Sequence, residues 1–192
     1  MDHPGDHLED QESGSDSEGE GMMVAYGQKV RLHAKYGNVM TLANTDSIAT
    51  FIHRDDVYDR HGIIEAAGEQ VKQEYHKERD ADHVQQPLFT TAGNLPYESI
   101  FHVHVDTELP KFSDNIHKAL KCAESRKMRS IAFPALECTP ENQPYIERLL
   151  QALYDFEKEA DPACLHLIDI ICVNKEEEKY YDEQMLGRGE RL

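Results

Sequence analysis

The chain has 192 residues and a formal net charge of −17 at pH 7. Eight acidic residues and no Lys or Arg lie in residues 1–21, which leaves 29 acidic against 20 basic side chains in the rest. Such a surface repels phosphate backbones, so we expect no nucleic-acid partner. The apolar stretch at 165–173 contains His166 and Asp169 and is far too short to span a bilayer, so we expect no membrane partner either.

Cysteine usage and the lack of a signal-peptide pattern indicate a compartment. The four cysteines, at 122, 138, 164 and 172, form no C-x-x-C pair, which is typical of a reducing environment. We therefore expect an intracellular protein, cytoplasmic or nuclear. Too few apolar side chains lie in the first residues to offset chain entropy. We expect a disordered acidic tail over 1–24 and one domain over 25–192.

Hydrophobic periodicity predicts strands that alternate with helices along this domain. In the first half, the predicted elements are strands at 29–34, 39–42 and 47–53, a polar loop at 55–61 and a helix at 62–79. In the second half, they are an extended segment at 87–91, a turn at 93–96, strands at 99–105, 129–136 and 165–173, and helices at 114–126, 144–160 and 176–186. Ser113 is the predicted cap of the 114–126 helix.

The nearly continuous apolar character of the strands predicts a mostly parallel sheet that is covered by helices on both faces. In sheets of this kind, ligands bind at the carboxyl ends of the strands. The loops that follow His53, Val105 and Leu136 are therefore the places where we expect a site.

Several segments, taken in order, resemble the macro domain family, the ADP-ribose-recognising fold. Residues 130–136 (S-I-A-F-P-A-L) resemble the strand that leads into the family's second phosphate loop, and residues 90–96 resemble its T-x-A-G-x-L-P segment. Further similarity lies at residues 37–39, 46–49, 66–68 and 100–103. The resemblance covers about residues 28–186 and implies a three-layer α/β domain with a central mixed, mostly parallel sheet flanked by helices.

The ligand loops depart from the family's pattern. Active members follow the first buried strand with N-A-A-N, whose Asn residues approach the distal ribose, whereas residues 50–53 here are T-F-I-H. The family's G-G-G-V loop has no counterpart, because residues 54–62 contain the single glycine Gly62. The family's glycine-rich turn, whose N–H groups cradle phosphate, is replaced by E-C-T-P at 137–140. Proline donates no N–H, and Glu137 brings negative charge towards an anionic diphosphate.

The resemblance implies a set of ligand-binding candidates in these altered segments: Asn38, His53, His61, Gly62, Ala135, Leu136, Glu137 and Cys138. Asn38 stands where the family has the Asp that receives the adenine amino group. Either His53 or Asp56 could occupy the distal-ribose position, and these two are the catalytic candidates, neither of them assigned. His61 and Gly62 are either a remnant of the phosphate loop or a cap before the helix.

Two further groups of residues have the chemical character of a site. His102 and His104 share one face of a predicted strand, and with Asp106 they could hold zinc or iron. We interpret both histidines as structural, and we predict no metal and no cofactor. Cys138 is either a nucleophile activated by a base such as His53 or His104, or a passive thiol, and we favour the passive thiol.

The sequence favours a non-catalytic macro-like module that binds or scaffolds, with weak or lost recognition of ADP-ribose or a related nucleotide. One alternative is an ADP-ribosyl hydrolase with a rearranged site. Another is a protein–protein interaction domain in a chromatin context. The expected partners are ADP-ribose, an ADP-ribosylated protein, or basic proteins that the acidic tail contacts.

Overall fold

A computed structural model describes residues 30–42, 44–53, 56–58, 61–80, 87–159 and 163–189. The acidic tail predicted at residues 1–24 lies outside these ranges. Within the described ranges, none of the helices combines the length and the apolar character needed to cross a membrane.

Strands and helices alternate along the described part of the chain. The strands are β1 (Arg31–Tyr36), β2 (Ser47–His53), β3 (Asp56–Tyr58), β4 (Leu88–Thr91), β5 (Ser99–Val105), β6 (Ser130–Pro134) and β7 (Leu167–Cys172). The helices are α1 (Ile63–Ala67), α2 (Glu69–Arg79), α3 (Leu109–Ser125), α4 (Gln143–Glu159) and α5 (Lys175–Gly189).

The strands form one sheet in the order β1-β7-β6-β2-β5-β4, with β3 paired to β2 outside this path. The β1/β7, β7/β6, β6/β2 and β2/β5 pairs are parallel. The β4/β5 and β3/β2 pairs are antiparallel. The prediction of a mixed, mostly parallel sheet is therefore confirmed.

Each face of the sheet has its own apolar core, because successive strand residues point to opposite faces. On one face, Phe51 packs against Phe112 of α3 with the ring centroids 5.9 Å apart, in a cluster that also includes α4. On the other face, Ile48 and Ile100 share a cluster with Val71 of α2. Helices thus cover both faces, and the domain has three layers as predicted.

Strands β2 and β6 are tied together at their amino ends by Asp46. Its carboxylate accepts hydrogen bonds from the backbone N–H of Arg129 at 2.6 Å and from the Arg129 guanidinium at 3.0 Å. Its own N–H donates to the Ser130 hydroxyl at 2.8 Å. Burial alone would raise the pKa of Asp46, but the hydrogen bonds and charge of Arg129 outweigh burial and hold the pKa below its usual range.

Two predicted elements in the first half of the domain are wrong. The predicted strand at 39–42 is a turn, in which the Asn38 side-chain oxygen accepts the Met40 N–H at 2.9 Å. This local bond competes with strand pairing, as is common for Asn. The predicted loop at 55–61 contains β3, which pairs with the end of β2.

Two predicted helices have different bounds. The single helix expected at 62–79 is broken at Gly68, whose φ of 96° lies outside the helical range. The helix expected at 114–126 begins five residues earlier, at Leu109, so that Ser113 lies inside α3 and does not cap it. Pro110 is accommodated because the first turn of a helix needs no N–H from it.

Candidate functional site at the crevice between β2 and β6

Strands β2 and β6 are neighbours in the strand order, and their carboxyl ends lie where the sheet reverses its winding. The helices that follow β2 cover one face of the sheet, and α4, which follows β6, covers the other. In α/β sheets, a crevice outside the strand ends at such a switch point is the usual ligand site. The structure therefore places the predicted loops after β2 and β6 at one common site.

In this chain, β3 lies on the side of β2 that faces β6. All seven residues of β2 pair with β5, so that this edge of β2 is fully used. On the opposite edge, Ser47 and Ile48 pair with β6, and the last three residues of β2 pair with β3. Since a strand has only two edges, β3 occupies the gap that opens between β2 and β6 at their carboxyl ends.

Two backbone donors of the loop after β6 are bonded within the protein. The N–H of Ala135 donates to the Ile171 carbonyl at 2.9 Å, and the N–H of Thr139 donates to the Glu137 carbonyl at 2.8 Å. Pro140 has no N–H to offer. These groups are not available to cradle an anion.

Tyr181 of α5 takes both backbone groups of Leu136. Its hydroxyl accepts the Leu136 N–H at 2.9 Å and donates to the Leu136 carbonyl at 3.0 Å. The ring is fully buried, and burial raises the pKa of the Tyr181 phenol well above its usual range. The Tyr181 side chain of α5 thus fixes the start of the loop after β6. It also occupies the Leu136 N–H, which is then not available to a ligand.

We expect the Tyr181→Phe substitution to lower the free energy of unfolding by about 1–3 kcal/mol, because it leaves two buried backbone groups of Leu136 without a partner. Urea unfolding measures the effect. Tyr180→Phe is the matched control, since the Tyr180 hydroxyl bonds the half-buried Gln143 and its loss should cost less than about 1 kcal/mol. Equal losses in the two variants would contradict this role of Tyr181.

The remaining loop candidates differ in exposure. Ala135 and Leu136 are buried, whereas Glu137 and Cys138 are exposed. The Glu137 carbonyl accepts a hydrogen bond from the Asn142 side chain at 3.1 Å, which holds the turn in place. The exposed Glu137 carboxylate adds negative charge to a loop in which the Leu136 and Thr139 N–H groups are bonded within the protein.

The other candidates lie on neighbouring segments of the same edge of the sheet. Asn38 is exposed after β1, where its side-chain oxygen already accepts the Met40 N–H. Gly62 is the N-cap of α1, with a left-handed backbone at φ 66°, and His61 precedes it. The cap interpretation of the His61–Gly62 pair agrees with this position.

The two catalytic candidates face each other in the β2/β3 pair. His53 is exposed at the last position of β2, and the register sets it opposite Asp56 on β3 and opposite Val105 on β5. The side chain of Asp56 lies outside what the structure describes. The backbone register therefore brings together two residues that the sequence offered only as alternatives.

His102 has no ring nitrogen available for a metal. The Thr50 hydroxyl lies 3.1 Å from Nδ1 and the Thr90 hydroxyl 3.0 Å from Nε2, while the Tyr75 ring packs at 4.9 Å. Burial lowers the pKa of His102 to about 3. Its structural role, preferred on sequence grounds, fits these contacts. Across the described ranges, no cluster of three or more His, Cys, Asp or Glu is arranged to hold a metal ion.

Comparison with known proteins finds a matching family model and solved structures of similar fold. A family model of the Macro domain matches residues 60–146. A mutant macrodomain of Oceanobacillus iheyensis is similar with a TM-score of 0.69 and 17% identity, over 85% of this chain and 95% of that chain. No match was found among curated proteins.

Two further solved structures of similar fold contain ADP. The Oceanobacillus iheyensis macrodomain with ADP is similar with a TM-score of 0.65 and 18% identity, over 85% of this chain and 94% of that chain. The Trypanosoma brucei macrodomain in complex with ADP is similar with a TM-score of 0.60 and 20% identity, over 81% and 68% of the two chains. At such identities, the likeness establishes the fold.

Proposed function

Because residues 60–146 match the Macro domain family and the chain has the macrodomain fold, we propose that this protein is a non-catalytic macro module with weak or lost recognition of ADP-ribose or a related nucleotide. The observation that carries the proposal is the position of β3. Strand β3 pairs with Phe51, Ile52 and His53 on the side of β2 that faces β6. A ligand at the switch point would have to displace these backbone bonds.

The loop after β6 supports the same function. A diphosphate needs free N–H donors at close range, and the donors of Ala135, Leu136 and Thr139 are committed to partners in the protein. Each lost charge-assisted contact weakens binding by roughly 1.5–3 kcal/mol. Two or three such losses lower the affinity by several orders of magnitude, because about 1.4 kcal/mol corresponds to a factor of ten.

The positions of the described histidines of the sheet support a non-catalytic role. His53 is exposed at the end of β2, and its cross-strand partner in the register is a single carboxylate residue, Asp56. General acid–base catalysis needs a group that is held within hydrogen-bond reach of the substrate. The buried histidine of the sheet, His102, is held by two threonine hydroxyls and does not reach a ligand.

A thermal-shift titration with ADP tests the binding half of the proposal. A ligand with a dissociation constant near 10 μM would stabilise the protein by about 2.7 kcal/mol at 1 mM, which raises the melting temperature by several degrees. We expect a rise of less than about 1 °C. The Oceanobacillus iheyensis macrodomain, which was solved with ADP, is the positive control. A rise of several degrees in this chain would contradict weak or lost recognition.

A release assay tests the catalytic half. We expect no release of ADP-ribose from a mono-ADP-ribosylated protein above the rate without enzyme. Release that disappears in the His53→Ala or Asp56→Ala variant would show that the chain is a hydrolase and would overturn the non-catalytic assignment.

A further inference from the structure

The outer edge of β1 is not paired to any strand among the described residues. Strand β1 ends the sheet order, and its parallel pairing with β7 uses the inner edge. The Arg31 N–H points inward, since it donates a hydrogen bond to the residue before β7 at 2.8 Å. Backbone groups alternate along a paired strand, so the N–H groups of Leu32 and Ala34 point outward. The outward N–H of Tyr36 donates to the Glu178 carboxylate at 2.9 Å, so the free part of this edge lies before Tyr36.

The two faces of β1 differ in character. Its apolar side chains pack into the core that α4 and α5 cover. Arg31, His33 and Lys35 lie on the opposite face, because successive strand residues point to opposite sides of a sheet. The Lys35 ammonium pairs with the buried Asp169 carboxylate, which offsets its charge. Arg31 and His33 are exposed, and no carboxylate of the described residues forms an ion pair with Arg31, so this face suits an acidic partner.

Residues 16–20 have a pattern that complements this face. Their sequence is D-S-E-G-E, in which acidic residues alternate with the small residues Ser17 and Gly19. In an extended strand, alternate residues share a face, so such a strand would carry three carboxylates on one side and small residues on the other. Residues 21–30 connect the segment to β1 and are long enough for a hairpin loop, since a longer loop costs little more than a short one. The connection also gives the segment a high effective concentration at β1, so that weak cross-strand pairs can act together.

We propose that residues 16–20 pair with the outer edge of β1 as an added antiparallel strand, in which each acidic residue lies opposite a basic one. The opposed pairs are Glu20 with Arg31, Glu18 with His33, and Asp16 with Lys35. Ser17 and Gly19 then face α5, whose Glu178 carboxylate at this edge disfavours an acidic side chain. The disorder expected for residues 1–24 then applies on either side of this strand. The inference is independent of ADP-ribose recognition.

Amide hydrogen exchange of the full ¹⁵N-labelled chain tests the proposal. In the proposed register, the Leu32 N–H donates to the Gly19 carbonyl and the Ala34 N–H donates to the Ser17 carbonyl. The matched variant carries Ser17→Glu, Gly19→Ser and Glu20→Gly, which keeps the composition and the charge but breaks the alternation. We expect both amides to exchange at least about tenfold more slowly in the wild type than in this variant. Equal exchange in the two chains would overturn the proposal.

Two arginine variants separate cross-strand pairing from the effect of overall charge. We expect Arg31→Gln to speed exchange of the Ala34 N–H about threefold, because it removes one opposite-charge pair. Arg148→Gln, an equal charge change at an exposed position of α4, should leave this rate unchanged. The inward N–H groups of His33 and Lys35 should stay slow in every variant, which shows that β1 remains paired with β7. Equal effects of the two arginine variants, or protection that falls on dilution and thus comes from a second copy of the chain, would overturn the proposed hairpin.

Discussion

Between pH 6.5 and about pH 3, the wild-type chain is expected to lose about 1.4 kcal/mol of stability per pH unit more than a His102→Gln variant. The reason is the buried imidazole. Burial depresses the pKa of His102 to about 3 in the folded protein, whereas the unfolded value is near 6.5. Within this window the unfolded chain binds a proton at this position and the folded chain does not, so that acid favours unfolding.

The direction of this pH dependence follows from the uptake of a proton by the unfolded chain. Above pH 6.5, His102 is neutral in both states and contributes no pH dependence. As the pH falls, protonation stabilises only the unfolded state, until the folded imidazole also protonates near pH 3. The Thr50 and Thr90 hydroxyls are neutral partners that cannot offset the cost of burying a charge, because the ring is 99% buried.

Urea unfolding at pH 7.5, 6.5, 5.5 and 4.5 measures this effect. Gln is the control substitution because its amide can bond both threonine hydroxyls and does not titrate. The carboxylates and the other histidines are common to both chains and cancel in the difference. Parallel stability curves for wild type and variant across this range would show that His102 is not held in its neutral form.

Gly93→Ala is expected to lower the free energy of unfolding by roughly 2–4 kcal/mol. Gly93 has a left-handed backbone at φ 58°, which costs a residue with a side chain about 1 kcal/mol. A Cβ there would also lie 2.1 Å from the backbone oxygen of Ala67 and 2.8 Å from the Val71 side chain. Overpacking of this kind adds roughly 1–3 kcal/mol, and a backbone atom cannot move aside as a flexible side chain can.

Gly187→Ala is the matched control. Gly187 lies within α5, and nothing approaches within 4 Å of the position that a Cβ would take. The same chemical change should raise stability there by roughly 0.5–1 kcal/mol, because alanine is the better helix former. Comparable destabilisation of both variants would contradict the expectation that a Cβ at position 93 clashes with Ala67 and Val71.

Sequence periodicity located the buried strands well. Strands β2 and β5 lie at the predicted positions 47–53 and 99–105, because their uninterrupted apolar and β-branched residues are suited to burial on both faces of a parallel sheet. The predicted covering of both faces by helices followed from the same pattern. Helix starts were less accurate, since α3 begins at Leu109, where neither Ser113 nor the apolar spacing indicated it.

Strand β3 and the Tyr181–Leu136 contact, which shape the crevice, could not be predicted from hydrophobic periodicity. Strand β3 has three residues, Asp-Val-Tyr, with no periodicity, and its pairing depends on the free edge that β2 leaves beyond Ile48. Tyr181 lies in a helix whose charged sequence resembles a solvated surface, and its contact with Leu136 spans 45 residues of chain. An aromatic residue within so charged a helix was the one signal that could have indicated a buried contact.

The departure of residues 137–140 from the family's glycine-rich turn was visible in the sequence, and the structure adds the contacts that hold the loop in its place. Glu137 and Pro140 were recognised as unsuited to an anion from residue type alone. The structure adds that the Leu136 N–H is bonded to the Tyr181 hydroxyl and that the Ala135 N–H is bonded to β7. Residue type thus indicated the departure, and long-range contacts explain how the chain stabilises this loop.

A backbone NMR titration with ADP-ribose tests most directly whether the crevice is closed. With the ¹⁵N-labelled chain and ligand up to millimolar concentration, we expect no saturable shift of the amides of Phe51, Ile52 and His53 or of Leu136. These amides are held by β3, β5 and Tyr181. Saturable shifts at both the end of β2 and the loop after β6, with a micromolar dissociation constant, would show that the crevice still recognises ADP-ribose.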